Sequence, residues 1–180
     1  MLLSLLLSGF GGQAHAAKSA MVPHVVVANQ FHSNVVTLVN LTGLRDELAR
    51  NRHAVAEQGK QEILRSFPGY DPAFAQEWGR RMEKLSVDAY LDVVVQVYEK
   101  NYTNDEVVEM IQVQKDLGSA KAPVLSLGLR AKLAKVAETV ESEINSGFAE
   151  LGAKQGQEVG LAVAKDHPEW VKAANGSAAR

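Results

Sequence analysis

The chain has 180 residues, of which 46% are hydrophobic and 22% charged, and it contains no cysteine. This composition is too apolar for a disordered chain, and it excludes disulfides, a thiolate nucleophile and cysteine-based metal or iron–sulfur sites. With 19 Lys and Arg against 21 Asp and Glu the formal charge is −2, and the sequence has no basic stripe of the kind that nucleic-acid-binding proteins carry.

Residues 1–16 have the pattern of a secretory signal peptide. An apolar run from Leu2 to Phe10 is followed by a small-residue triplet that ends at Ala16, where we expect cleavage. The run is too short for a transmembrane helix, which needs about 20 apolar residues. No Lys or Arg precedes it, so a cytosolic protein with an apolar N-terminus is the alternative. The sequence thus predicts an exported protein with residues 17–180 as a single all-α domain.

The first half of the mature chain shows helical spacing. Apolar residues recur every three or four positions from Asn34 to Leu48, and we expect Gly43 to bend or break this run. A second helix continues through Ile63, and the residues 66–70 form a turn that contains Pro and Gly. Asp71 and Pro72 are suited to start the next helix, as N-cap and first helical residue. The apolar stripe of this third helix is Phe74, Trp78, Met82 and Leu85.

The second half continues in the same way. Ser86 is suited to cap a helix, although the β-branched stretch 91–98 would also fit a strand in isolation. The inward-facing residues of that helix are Leu91, Val94, Val95 and Tyr98. Thr103 and Glu106 predict a capping box for the next helix, which ends at Leu117 before Gly118.

The longest predicted helix follows Pro123, with apolar residues three or four positions apart from Leu125 to Leu151. Beyond it we expect a weakened segment and a frayed tail from Ala173 to Arg180. The sequence therefore predicts an all-α bundle of about six helices after the cleaved signal peptide.

One segment carries a family resemblance. The run from Tyr98 to Val107 (Tyr-Glu-Lys-Asn-Tyr-Thr-Asn-Asp-Glu-Val), together with Ile111 and Leu117-Gly118, resembles the exported bacterial helical family catalogued as domain of unknown function 2059. The similarity covers about residues 85–150. It implies a helical fold and a periplasmic location, while secretion would use the same signal peptide. It implies no activity, because that family has none assigned.

The neighbouring residues both extend the resemblance and depart from it. The stretch 36–44 (Val-Thr-Leu-Val-Asn-Leu-Thr-Gly-Leu) is similar to the helix that often precedes that domain. Where the family usually has a Phe-Tyr pair and a Ser/Thr-Pro, this chain has Gln112-Val113 and Lys115-Asp116. If the aromatic pair forms a contact surface in the family, this chain lacks it.

Histidines and acids give no catalytic or metal constellation in the sequence. His53 and Glu57 lie four positions apart on a predicted helix, but a metal site needs three or four ligands, so we interpret them as a solvated surface pair. We expect His24 and His32 to be exposed and unpaired. Three acids of the last helix belong to its solvated face, namely Glu138, Glu141 and Glu143. No nucleophile elbow, phosphate loop or dinucleotide pattern is present. The sequence therefore predicts no catalytic, metal or cofactor residue and assigns no binding residue.

Two further features concern packing. Gly152, Gly156 and Gly160 are spaced four apart, which lets another element approach closely or weakens the helix, and we favour weakening. Trp78 lies on the stripe of the third helix and is expected in the core, whereas Trp170 is expected to cover the bundle.

Two function classes remain. The sequence favours a non-enzymatic envelope module that binds a protein, a peptide or an apolar ligand, and it leaves the oligomeric state open. This hypothesis predicts an apolar patch or groove between the last long helix and the helix of Phe74 to Leu85. The alternative is an envelope hydrolase in which the fold brings two carboxyls together in a concave site with raised pKa values.

Overall fold

The computed structural model describes residues 24–119 and 122–171, with side chains from residue 30 onward. All regular elements in these ranges are helices, and the all-α prediction is confirmed. The six main helices are α1 (His24–Leu41), α2 (Leu44–Ser66), α3 (Pro72–Met82), α4 (Asp88–Asn101), α5 (Asn104–Leu117) and α6 (Leu127–Asp166). A further helical turn covers 168–171. The predicted signal peptide, 1–16, and the predicted frayed tail lie outside the described residues.

Two compact units divide the described chain. The first combines 24–45 with 90–148, and the second combines 46–89 with 149–171. Helix α6 contributes its N-terminal part to the first unit and its C-terminal part to the second. No helix within the described ranges has the length and apolarity required to cross a membrane.

In the first unit, α1 packs against α5, and apolar side chains from α4 and α6 complete the interior. The residues of α4 that are predicted to face inward are all buried, namely Leu91, Val94, Val95 and Tyr98. Their spacing of three and four buries one face of a helix, whereas a strand would bury alternate residues. The strand alternative for 91–98 is therefore wrong.

The boundary between α1 and α2 lies at the predicted glycine. Gly43 has a φ of +70°, a conformation that costs glycine little because it has no Cβ. The N–H of Thr42 donates to the carbonyl oxygens of Leu38 and Val39 at 3.2 and 3.3 Å, which closes the last turn of α1. Helix α1 begins at His24, well before the expected start at Asn34. The sequence did not predict this earlier start because the residues between them show little helical periodicity.

Local capping residues set the other boundaries as predicted. The Asp71 carboxylate accepts a hydrogen bond from the N–H of Ala73 at 2.8 Å, with Pro72 in the first turn of α3. Ser86 Oγ accepts from the N–H of Asp88 at 3.1 Å at the start of α4. For α5 the capping box is complete, because the N–H of Thr103 donates to the Glu106 carboxylate at 2.7 Å and the Thr103 hydroxyl accepts in return.

Helix α6 is longer than the sequence predicts. It continues for 40 residues, passes through Gly152, Gly156 and Gly160, and ends at Asp166 instead of weakening after Leu151. Each glycine costs about 1 kcal/mol in a helix interior, so other contacts have to compensate. Gly156 and Gly160 both lie beside the ring of Trp78, which provides this packing.

Candidate functional site

An apolar groove of about 400 Å³ lies in the second unit. Its walls come from the end of α2, the turn before α3, α3 itself, the C-terminal part of α6 and the final turn 168–171. The lining residues are Ile63, Phe67, Tyr70, Phe74, Trp78, Gly156, Gln157, Gly160, Leu161, Ala164 and Val171. None of them is charged. The groove expected between α3 and the last long helix is therefore present, and its volume falls within the range of small-molecule sites, about 300–1,000 Å³.

Three aromatic rings follow one another along the wall formed by the turn and α3. The rings of Phe67 and Tyr70 are stacked with centroids 5.1 Å apart, and Tyr70 meets Phe74 edge to face, also at 5.1 Å. The turn that carries them is fixed by the N–H of Asp71, which donates to the carbonyl oxygen of Trp170 at 2.9 Å. A backbone hydrogen bond and the packing of the rings therefore hold this wall in place.

Trp78 forms the adjoining part of the wall. Its indole Nε1–H donates to the carbonyl oxygen of Gly156 at 2.9 Å. Because this is the only polar group of the side chain, the ring presents carbon to the groove. On the other side the ring lies against Gly59 of α2, so that it fills the space between α2 and α6 within this unit.

A small apolar core supports the groove. Phe74, Val159 and Val163 are buried, and half-buried apolar side chains pack around them. Those neighbours are Ile63, Tyr70, Trp78, Met82, Leu85, Ala164, Trp170 and Val171. All four residues of the predicted stripe therefore face this core, although Leu85 lies beyond the end of α3 at Met82 and Trp78 is only half-buried. Trp170 packs on the same cluster as expected.

Two large apolar side chains of the groove stay open to solvent. Leu161 is 65% exposed and Phe67 is 49% exposed. Leaving such carbon surface in water costs about 25 cal/mol per Å² compared with covering it. A ligand that covers these side chains gains this free energy, which is the physical reason for regarding the groove as a binding site.

A network of ion pairs within α3 extends to the end of α6 through one contact. Arg80 and Arg81 donate to the Glu77 carboxylate at 2.5–2.7 Å, and Arg81 also contacts Asp166 at 2.8 Å. The hydrogen bonds from Arg80 and then Arg81 lower the pKa of Glu77 from 4.5 to about 2. This carboxylate therefore stays ionised at neutral pH and keeps its ion pairs with Arg80 and Arg81.

The histidines predicted as surface groups have carboxylate neighbours in the structure. His53 Nδ1 lies 2.6 Å from Glu83 Oε1, whereas Glu57 contacts Lys60 at 2.5 Å. Both His53 and Glu57 are open to solvent, as expected of surface groups. The expectation that His32 is unpaired is wrong, because its Nδ1 lies 2.7 Å from Glu99 Oε1. The sequence missed this contact since the two residues are 67 positions apart. Of His24 the structure describes only the backbone.

Within residues 30–119 and 122–171, no group of three or more His, Asp or Glu is placed to hold a metal ion. Among the three acids of the predicted solvated face, Glu138 and Glu141 are exposed. Glu143 accepts from Lys100 at 2.5 Å and from Asn101 at 3.0 Å, and these hydrogen bonds lower its pKa.

The carboxyls with shifted pKa values in the described residues do not have the character of a hydrolase pair. Burial raises the pKa of Glu106, but hydrogen bonds from Lys132 and Thr103 outweigh it, and the net pKa is lowered. The pKa of Glu57 is lowered by Lys60 and Gln61. A general acid requires the opposite direction, a pKa raised toward neutrality. These groups are therefore better described as ion-paired surface carboxylates.

No protein-family model, no curated protein and no solved structure matches this chain. The groove and the chemistry of its lining therefore carry the functional conclusion. The resemblance of residues 85–150 to the exported helical family stays a prediction.

Sequence reasoning missed several residues of the groove. Phe67 and Tyr70 lie in a predicted turn and have no further role in the prediction, although a turn with two aromatic residues is itself a sign of apolar packing. The prediction also gives no role to Gly59, which lies behind Trp78 without lining the groove, although a glycine inside a long helix indicates a close contact. Leu161 gave no signal, because a single exposed leucine on a helix is common.

Proposed function

We propose that this protein is a non-enzymatic binding module of the bacterial envelope that holds a small, uncharged apolar ligand. The groove between α3 and α6 carries the proposal, since it combines a volume of about 400 Å³ with aromatic and aliphatic walls. A charged ligand group would lose its hydration there without gaining a charged partner, which costs several kcal/mol. The favoured ligand is therefore neutral, with one or more rings that pack on the aromatic wall.

Two fluorescent probes with nearly the same ring system test this proposal. N-phenylnaphthylamine is neutral, whereas anilinonaphthalene sulfonate carries a sulfonate. We expect the neutral probe to bind with a rise in its fluorescence and to be displaced by unlabelled naphthalene. The sulfonate should bind at least about tenfold more weakly, a difference of about 1.4 kcal/mol. Equal binding of both probes, or no binding of the neutral one, would contradict the proposal.

The envelope location is a second part of the proposal and rests on residues 1–16. Their apolar run and small-residue triplet are typical of a cleaved signal peptide. Intact-mass measurement of the protein from the envelope fraction of its host should give a chain that begins at Ala17. A chain that retains Met1 and stays in the cytosolic fraction would refute export. The groove proposal is independent of that result.

A further inference from the structure

Gly59 of α2 lies directly behind the ring of Trp78. A Cβ added to Gly59 would fall 2.5 Å from Cζ3 of the indole and would also collide with Cη2. Carbon atoms in non-bonded contact prefer about 3.5–4.0 Å. The observed position of the ring is therefore compatible with glycine at position 59 and with no larger residue.

The neighbouring edge of the ring at Cζ2 and its far end at Cδ1 are less crowded. A Cβ on Gly156 would lie 3.4 Å from Cζ2, and a Cβ on Gly160 would lie 3.9 Å from Cδ1. Both are close to ordinary van der Waals contact. The ring is thus limited by α2 on one side, whereas its other edge faces two glycines that line the groove.

We propose that Gly59 is a positioning residue that sets the size of the ligand accepted by the groove, although Gly59 does not line it. The inference rests on the proposed function and specifies it further. Since glycine has no side chain behind the indole, the Trp78 ring can pack directly against α2. Any side chain at position 59 pushes the ring away from α2 and toward Gly156 and Gly160, which makes the groove smaller.

The consequence is a selection between neutral ligands of different size. Naphthalene and N-phenylnaphthylamine share a fused ring pair, and the second compound adds a phenyl ring. In the wild-type protein the larger compound should bind more tightly, because it covers more of the exposed apolar wall. A ring displaced toward α6 removes space from the larger compound first.

The test measures the dissociation constants of both compounds for the wild type, Gly59→Ala, Trp78→Phe and the double variant. We expect Gly59→Ala to raise the dissociation constant of N-phenylnaphthylamine by about tenfold and that of naphthalene by less than about threefold. Phenylalanine lacks the part of the indole that meets Gly59, so the double variant should regain affinity for the larger compound. In a Trp170→Phe background, the near-ultraviolet circular dichroism of Trp78 should change in Gly59→Ala and stay unchanged in Gly128→Ala, whose added Cβ meets no atom within 4 Å.

The possible outcomes separate the two proposals. If the neutral probe fails to bind the wild type, the proposed function is wrong. If it binds, and Gly59→Ala leaves the ratio of the two dissociation constants unchanged, the role of Gly59 is wrong. If Gly59→Ala does not fold, Trp78→Phe decides, because it enlarges the groove from the same position. If Trp78→Phe binds N-phenylnaphthylamine more tightly relative to naphthalene than the wild type does, the inference is supported. If the ratio of the two dissociation constants is unchanged, the inference is overturned.

Discussion

The indole nitrogen of Trp78 donates a hydrogen bond to the backbone carbonyl oxygen of Gly156 at 2.9 Å, joining residues 78 positions apart. The bond connects α3 to the C-terminal part of α6 and satisfies the only hydrogen-bond donor of the tryptophan side chain. It therefore has two effects at once. It fixes one wall of the groove, and it leaves that wall apolar, as the proposed neutral ligand requires.

Substitutions on the two sides of the Trp78 ring should change stability in opposite directions. Gly160→Ala places a methyl group at ordinary contact distance from the ring and improves helix propensity, so we expect a gain of about 0.5–1 kcal/mol. Gly59→Ala overpacks the ring and should lose about 1–3 kcal/mol. Urea unfolding followed by circular dichroism measures both. A Gly59→Ala protein as stable as Gly160→Ala would contradict the packing described for α2.

Leu161 should contribute to ligand binding with little effect on stability. Because this side chain is 65% exposed, Leu161→Ser should change the free energy of unfolding by less than about 0.5 kcal/mol. The affinity for N-phenylnaphthylamine should nevertheless fall, since the probe loses apolar surface at the rim.

Val55→Ser is the matched control for Leu161→Ser. Val55 is 58% exposed on α2 of the same unit and does not line the groove. Its substitution should leave probe binding unchanged in a fluorescence titration. If both variants weaken binding equally, the probe is binding somewhere other than the groove.

Thr103 should stabilise the start of α5 through its capping box. Thr103→Ala removes the acceptor for the N–H of Glu106, and it should cost about 1 kcal/mol. Amide hydrogen exchange should show faster exchange in the first turn of α5. Thr103→Ser keeps the hydroxyl and serves as the control. Equal exchange rates in the Ala and Ser variants would show that the box contributes nothing.

The carboxylate of Glu77 should make stability depend on pH below neutrality. Its pKa is lowered in the folded state from 4.5 to about 2 by the hydrogen bonds from Arg80 and Arg81. Its contribution is therefore fully present above pH 4.5 and is lost as the pH falls from 4.5 toward 2. Glu77→Gln should be less stable at neutral pH and should lose less stability in that acid range. Urea midpoints across the range measure this, and parallel curves for both proteins would refute it.

The sequence by itself determined the features that depend on residues close together in the chain. Asp71 with Pro72, and Thr103 with Glu106, start their helices through hydrogen bonds that span two or three residues. Gly43 separates α1 from α2 because its own backbone adopts a positive φ. The three- and four-residue spacing of apolar side chains also identified the helices, although not the start of α1 or the end of α6.

The tertiary structure decided which distant residues meet. The cost of glycine in a helix is a local quantity, and it predicted that α6 would weaken after Leu151. The contact between Trp78 and the glycines of α6 is not local, and it accompanies a helix that continues to Asp166. Likewise, the contact of His32 with Glu99 and the position of Gly59 behind Trp78 depend on packing between helices. Such contacts arise from the shape and orientation of whole elements, for which the spacing of residues along one helix contains no information.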